Sequence, residues 1–223
     1  MPRINYVKST RKDQGSCGKC GDPLPKKSAY RWIKFRYGGK RVRCMKASCS
    51  FRQSDLTSSD KLSRAYAASE TIQDAVGRFV SEVHVSEILE KAQAVVDAVE
   101  EAKAEIEEVA QEYNESADNI EQYFEGSETA EECRQKADDL EGWGYEFDSP
   151  LSDLQSEIES LEEYISTVEA SRDEEVEDAD IIVTTVEGLT DMMMGDEEVE
   201  PFDTSGIEGA ISEIENMSSE CPV

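Results

Sequence analysis

Four cysteines near the N-terminus constrain this chain more than any other feature. Cys17 and Cys20 stand as C-G-K-C, 23 residues follow, and Cys44 and Cys49 close the set as C-M-K-A-S-C. Two close cysteine pairs joined by a hairpin-sized stretch meet the needs of a four-thiolate zinc site, in which each pair turns two sulfurs toward one point. The second pair, C-x4-C, is one step looser than the usual C-x2-C. Two disulfides or four free thiols are the alternative states of the same residues. Cys133 and Cys221 lie far from the cluster in sequence and read as plain thiols.

Charge divides the chain into two parts. Residues 1–55 hold 15 Lys/Arg against 3 Asp/Glu, and residues 56–223 hold 8 against 48. A basic head of this size has too little apolar surface to rely on a core alone, so a metal staple makes physical sense. No run of about 18 or more apolar residues is present, and M-P-R-I-N-Y-V-K has charge but no apolar stretch of a secretory signal. These features point to a reducing, intracellular setting with no membrane partner, where paired cysteines hold zinc more often than they form disulfides.

Between the cysteine pairs runs Y-R-W-I-K-F-R-Y-G-G-K-R-V-R-C, residues 30–44. Gly38-Gly39 reads as a two-residue hairpin turn. That turn predicts Tyr37 opposite Lys40, Arg36 opposite Arg41, Phe35 opposite Val42, Lys34 opposite Arg43, and Ile33 opposite Cys44. Alternation then sorts two faces. Ile33, Phe35, Tyr37, Val42 and Cys44 would pack on the metal site. Tyr30, Trp32, Lys34, Arg36, Arg41 and Arg43 would form a nucleic-acid-binding face, with cations for phosphates and aromatics for unpaired bases. The same face can instead dock on the acidic remainder of the chain or on another acidic protein. No base-reading helix is evident, so weak sequence specificity is expected.

With C-G-K-C-G, the hairpin and F-R-Q-S-D-L-T, the run from Cys17 to Thr57 resembles the N-terminal module of uncharacterised bacteriophage-encoded proteins, and its layout is similar to zinc ribbons. The resemblance implies a zinc-bound fold, a phage or phage-like origin, and a place in the host-cell cytoplasm or in association with the virion. It implies no established activity.

The remainder reads as helical. Thr57-Ser58-Ser59-Asp60 opens a helix over about 60–83, with Gly77 as a weak point. Ile88, Ala92, Val95, Val99, Ala102, Ile106, Val109 and Tyr113 recur in steps of four and three, continued by Ser116, Ile120 and Tyr123. A second seam, Leu151, Leu154, Ile158, Leu161, Ile165 and Val168, follows Ser149-Pro150. The stretch between, residues 126–148, holds a short helical piece and W-G-Y-E-F. The expected fold is a small zinc-stapled, zinc-ribbon-like β-hairpin head (1–56), an acidic helical-hairpin or coiled-coil body (57–180) and an acidic tail (181–223). In that tail Ile181–Val186 is a strand or a helix end, 195–206 a linker, and Ile207, Ala210, Ile211, Ile214 and Met217 one face of a last helix. Residues 86–125 hold 13 acidic and 2 basic side chains, and 149–178 hold 11 and 1, so the seams must associate against repulsion.

Nothing in the sequence signals catalysis. It carries no phosphate-binding glycine loop, nucleophile elbow or H-E-x-x-H, and its single histidine, His84, sits between valines. The reading that emerges is a zinc-stabilised nucleic-acid-binding accessory protein with an acidic interaction body. The competing readings are a virion structural or assembly protein that oligomerises through its coiled coil, and an acidic inhibitor that imitates DNA.

Overall fold

The computed structural model describes residues 2–36, 38–79, 85–170, 184–186, 189–194, 197–199 and 202–222. Tyr37, Val83 and His84, and residues 181–183, lie outside them. The chain forms two compact units, Met1–Ala67 and Ala68–Val223.

The first unit is a three-stranded antiparallel sheet in the order β1 (Asn5–Val7), β2 (Tyr30–Lys34), β3 (Lys40–Arg43). Two short 3-10 turns, Ala47–Cys49 and Gln53–Leu56, follow it, and then the first part of α1 (Asp60–Val76). The hairpin exists, but in another register. Lys34 pairs with Lys40, Ile33 with Arg41, Trp32 with Val42 and Arg31 with Arg43, so the connection is five residues rather than two. Tyr30, Trp32 and Val42 thereby share the face that packs on Cys17, Leu24, Cys44 and Cys49. Ile33, with no exposed surface, lies on the opposite face. Register follows burial: aromatic side chains bury ~150–250 Å² each, and covering them outweighs the local preference for a tight Gly-Gly turn.

The second unit is helical. α1 stops at Val76, where Gly77 follows, instead of running on to 83. α2 (Val85–Glu121) is 37 residues long, or ~55 Å. Two consecutive helices, α3 (Glu128–Glu146) and α4 (Asp148–Ala170), run antiparallel to it. Arg134 of α3 meets Asp118 and Glu121, Gly144 lies over Ile106, Asp148 pairs with Lys103, and Gln155 of α4 reaches Glu100. The body is therefore a helical bundle in which α2 is covered by two helices end to end, rather than a two-helix hairpin. Trp143 and Phe147, edge to face at 5.4 Å, sit at the α3–α4 junction halfway along α2.

α3 is a full helix of 19 residues where the sequence suggested a short piece. It runs on through Gly142, Gly144 and the aromatic cluster, and Ala130, Ala137, Leu140, Trp143 and Phe147 are all buried on it or at its end. The α2 seam from Ile88 to Tyr113 is buried as expected. It then slides: Ala117 is buried, Ser116 and Ile120 are only partly covered, and Tyr123 is 76% exposed beyond the helix end. An α-helix drifts ~20° per heptad against a strict seven-residue repeat, and the wider stripe, which also takes in Val96 and Ala110, suits contact with more than one neighbour.

α5 (Ser205–Ser218) buries Ile207, Ala210, Ile211 and Ile214, the face expected for it. It runs antiparallel to α4 and α3, with Gly206 beside the Glu157 carboxylate and the Met217 carbonyl accepting a 2.9 Å bond from the Trp143 indole. The Ser218 carbonyl accepts from Ser69 and Gln73 of α1. Thr184–Val186, Leu189–Met194 and Glu197–Val199 form a second antiparallel sheet, so the stretch read as a linker contains a strand, and Met192–Met194 pair through backbone in the central one.

The second unit holds 6 Lys/Arg against 47 Asp/Glu. Two of its cations stand where helices meet, Lys103 on Asp148 and Arg134 across Asp118 and Glu121, while Lys91 pairs with Glu87 of its own helix. The Arg134 guanidinium holds the Glu121 carboxyl below its ordinary range, so this pair supports the fold above the usual carboxylate pKa and loses its contribution as acid titrates Glu121.

Three outcomes follow for chemical and thermal unfolding. Leu140→Ala, at a position with no exposure, should cost about 2–5 kcal/mol. Gly142→Ala, where an added Cβ meets nothing within 4 Å, should stabilise by about 0.5–1 kcal/mol. Raising monovalent salt should raise the melting temperature of the helical unit, because screening relieves more repulsion than it removes attraction.

Candidate metal centre and basic groove

The first cysteine pair sits in a small backbone hairpin. The Cys17 amide donates to the Asp22 carbonyl at 2.7 Å and the Leu24 amide to Gly15 at 2.7 Å. Inside it Gly21, at φ +74, turns its amide back onto the Cys17 carbonyl at 3.0 Å. The Gly18 amide donates to Val42 of β3 at 2.9 Å, and a Cβ at Gly18 would lie 3.3 Å from that same oxygen. This close approach brings β3, and with it Cys44, to the first pair. The looser second pair is closed by the 3-10 turn, where the Cys49 amide donates to Lys46 at 3.1 Å.

The result is a cluster. The sulfurs of Cys17, Cys20, Cys44 and Cys49 all lie within 4.8 Å of one another, and Cys20 and Cys44 are 3.7 Å apart. Sulfurs at the corners of a tetrahedron around a metal at about 2.3 Å stand about 3.8 Å apart. All six cysteines are free of disulfides. The four can therefore hold one metal ion. Cys17, Cys44 and Cys49 are buried and Cys20 is exposed.

Backbone amides prepare one sulfur, that of Cys17, for charge. Burial pushes the Cys17 thiol up, but amide bonds from Cys20, Cys44 and Lys19 outweigh it and bring the thiol down to about 6. The Cys44 amide reaches that sulfur at 3.3 Å. Burial holds Cys44 above its ordinary range, so a bound cation would have to displace its proton.

Arg31 fixes the second pair from behind. It is buried, and its guanidinium donates to the Cys44 carbonyl at 3.1 Å, the Lys46 carbonyl at 3.1 Å and the Ser50 hydroxyl at 2.7 Å. Sequence reasoning missed this residue, although alternation requires Arg31 to leave the metal face once Tyr30 and Trp32 occupy it. Lys46 and Asp22 bridge the two cysteine pairs at 2.5 Å, and the Lys46 ammonium lowers the Asp22 carboxyl pKa.

The six residues expected to form one nucleic-acid face are divided. Tyr30 is buried and Trp32 half-buried on the metal side, both under the Lys40 ammonium, at 4.8 and 4.9 Å from their ring centroids. Arg43 is half-buried, paired with Asp55 at 2.5 Å and stacked over Phe51 at 4.8 Å. Lys34, Arg36 and Arg41 are exposed, and they do come together. With Lys40, a cation the sequence reading left out of the set, they line a concave groove of about 960 Å³. Phe35, Leu56, Leu62 and Tyr66 line it as well, and no acidic side chain is among the described residues that do so. The Arg41 guanidinium lies 5.1 Å over the Phe35 ring and donates to the Asp55 carbonyl at 3.3 Å.

No protein-family profile, curated protein or solved structure matches the chain. Among the described residues, no helix is long and apolar enough to cross a membrane.

Groups that orient metal ligands from outside are worth about 10–100-fold in metal affinity. Arg31→Met should therefore lose a bound ion to a competing chelator at a 10–100-fold lower chelator concentration, with all four cysteines present. Unchanged retention would show that Arg31 serves packing alone.

Proposed function

We propose that the chain is a zinc-stabilised nucleic-acid-binding accessory protein, of the phage-encoded kind its head resembles, with an acidic helical interaction body. Zinc is favoured for the metal because four thiolates in a closed tetrahedral set suit it, with iron as the other common occupant of such a set. Four thiolates around a divalent ion leave two net negative charges, and Arg31 and Lys46 stand against them as counter-charge. The metal's role is structural. It closes a unit too small to stand on its core.

The observation that carries the nucleic-acid reading is the groove. Four cations, with no carboxylate among the described residues beside them, line one concavity, in a unit with 17 Lys/Arg against 4 Asp/Glu. Phosphodiester backbones supply the counter-charges such a surface favours. The assembly reading draws less support, because the apolar stripe of α2 is buried against α3 and α4 of the same chain.

The test uses the full chain loaded with zinc and fluorescence anisotropy of labelled oligonucleotides across a salt series. Binding should weaken steeply with salt, and the variant carrying Lys34→Ala, Arg36→Ala and Arg41→Ala should lose about two units of the log–log salt slope, with metal content unchanged. No binding to single- or double-stranded nucleic acid at ~50 mM salt would sink the reading.

A further inference from the structure

The groove discriminates more than its charge requires. A phosphate-binding surface for duplex DNA needs cations on a face that follows the duplex exterior, where the bases are stacked away inside. Here the cations share the lining with Phe35, Leu56, Leu62 and Tyr66. A duplex, its bases stacked inside, would offer those apolar side chains only charged backbone. A flexible single strand can satisfy both kinds of side chain, with phosphates on the cations and a splayed base on the apolar surface.

One pair of side chains offers the base a seat. The Arg41 guanidinium lies 5.1 Å over the Phe35 ring, and a carbonyl acceptor, that of Asp55, holds its Nη1 at 3.3 Å. A planar cation propped on an aromatic ring is a platform that a nucleobase extends, since bases stack on guanidinium planes as they do on aromatic side chains. Resting on the nucleic-acid reading above, we propose that the groove takes an unpaired nucleotide of a single strand, its base stacked on the Arg41–Phe35 pair and its flanking phosphates held by Lys34 and Arg36. Selection is for strandedness and not for sequence, because every base presents a π-face. Trp32 and Tyr30, engaged at the metal side under Lys40, take no part in the stacking.

The deciding variant is Arg41→Lys. It keeps the charge and removes the plane. Binding is measured on the zinc-loaded full chain with a labelled oligothymidine, a duplex of the same length, and inorganic polyphosphate as a competitor. Oligothymidine should bind more tightly than the duplex. Arg41→Lys should weaken the single strand by about 5-fold or more and Phe35→Ala by about 5- to 150-fold, both with little change in salt slope, while duplex binding barely moves. Phe35→Trp should restore the single-strand affinity, which guards against a folding defect in Phe35→Ala. A second guard is Gly39→Asp, where an added Cβ meets nothing within 4 Å: a carboxylate in the groove lining should weaken the strand without disturbing the fold. Equal binding of strand and duplex with both Arg41→Lys and Phe35→Ala neutral would overturn the base seat and leave nucleic-acid binding standing. Displacement by polyphosphate as efficient as by oligothymidine, with Phe35→Ala neutral, would reduce the groove to a charge surface and also overturn it. Absence of any binding would remove both readings together.

Discussion

The approach of β3 to the first cysteine pair is the contact on which the N-terminal unit depends. Gly18 donates to Val42 at 2.9 Å and Cys44 donates to the Cys17 sulfur at 3.3 Å. Those two bonds bring together sulfurs separated by 23 residues of sequence. They also fix which side of the β2–β3 hairpin faces the cysteines. Tyr30, Trp32 and Val42 are committed to that side, and Arg31 and Arg43 are left to hold the segment after Cys44 from the other. Phe35, Arg36, Gly38 and Gly39 fall outside the pairing in the same register, and they line the groove. Cysteine cluster and groove are therefore two consequences of one strand alignment, and a bound metal would hold the groove in shape without touching it.

That alignment also explains how a unit with so much positive charge holds together. Like charges face each other at Lys34–Lys40 and Arg31–Arg43, an arrangement that costs stability unless each member finds other partners. Arg31 has two carbonyls and a hydroxyl, Arg43 has Asp55 and the Ser50 carbonyl, and Lys40 has two rings and Gln14. Lys34 is exposed and opens onto the groove. The cations nearest the cysteine cluster, Arg31 and Arg43 above all, are thus spent on structure, while others stay exposed.

Much of this was legible in the sequence, and the failures have specific causes. Cysteine spacing foretold a convergent cluster because ligand geometry allows few solutions. The α2 seam and the buried face of α5 could be read because periodic burial leaves a periodic trace over many residues. The hairpin register could not. Gly38-Gly39 is a local signal, and it lost to the long-range demand that Tyr30 and Trp32 cover the cysteines. α3 was undervalued because Gly142 and Gly144 weaken the local helix signal, yet Gly144 is the residue that lets α3 approach Ile106, at 3.6 Å from where its Cβ would stand. Arg31 was invisible for a related reason: a cation in a strand reads as surface until the elements that cover both faces are known.

The helical unit poses the opposite electrostatic problem, and its packing shows which force decides it. Carboxylates crowd both flanks of α2, while few cations stand between helices. Each large side chain buried along the seam contributes roughly 1.5–3 kcal/mol, and surface ion pairs contribute about 0–1 kcal/mol at most. The bundle therefore forms through Leu140, Leu154, Leu161, Ile106 and their neighbours in spite of its charge. Because α3, α4 and α5 take up the apolar stripes within the chain, the described surface left over is rich in carboxylate, with Tyr123, Phe124 and Tyr145 exposed among it. Closing the core inside the chain therefore leaves the repulsion on the surface, where water and salt screen it.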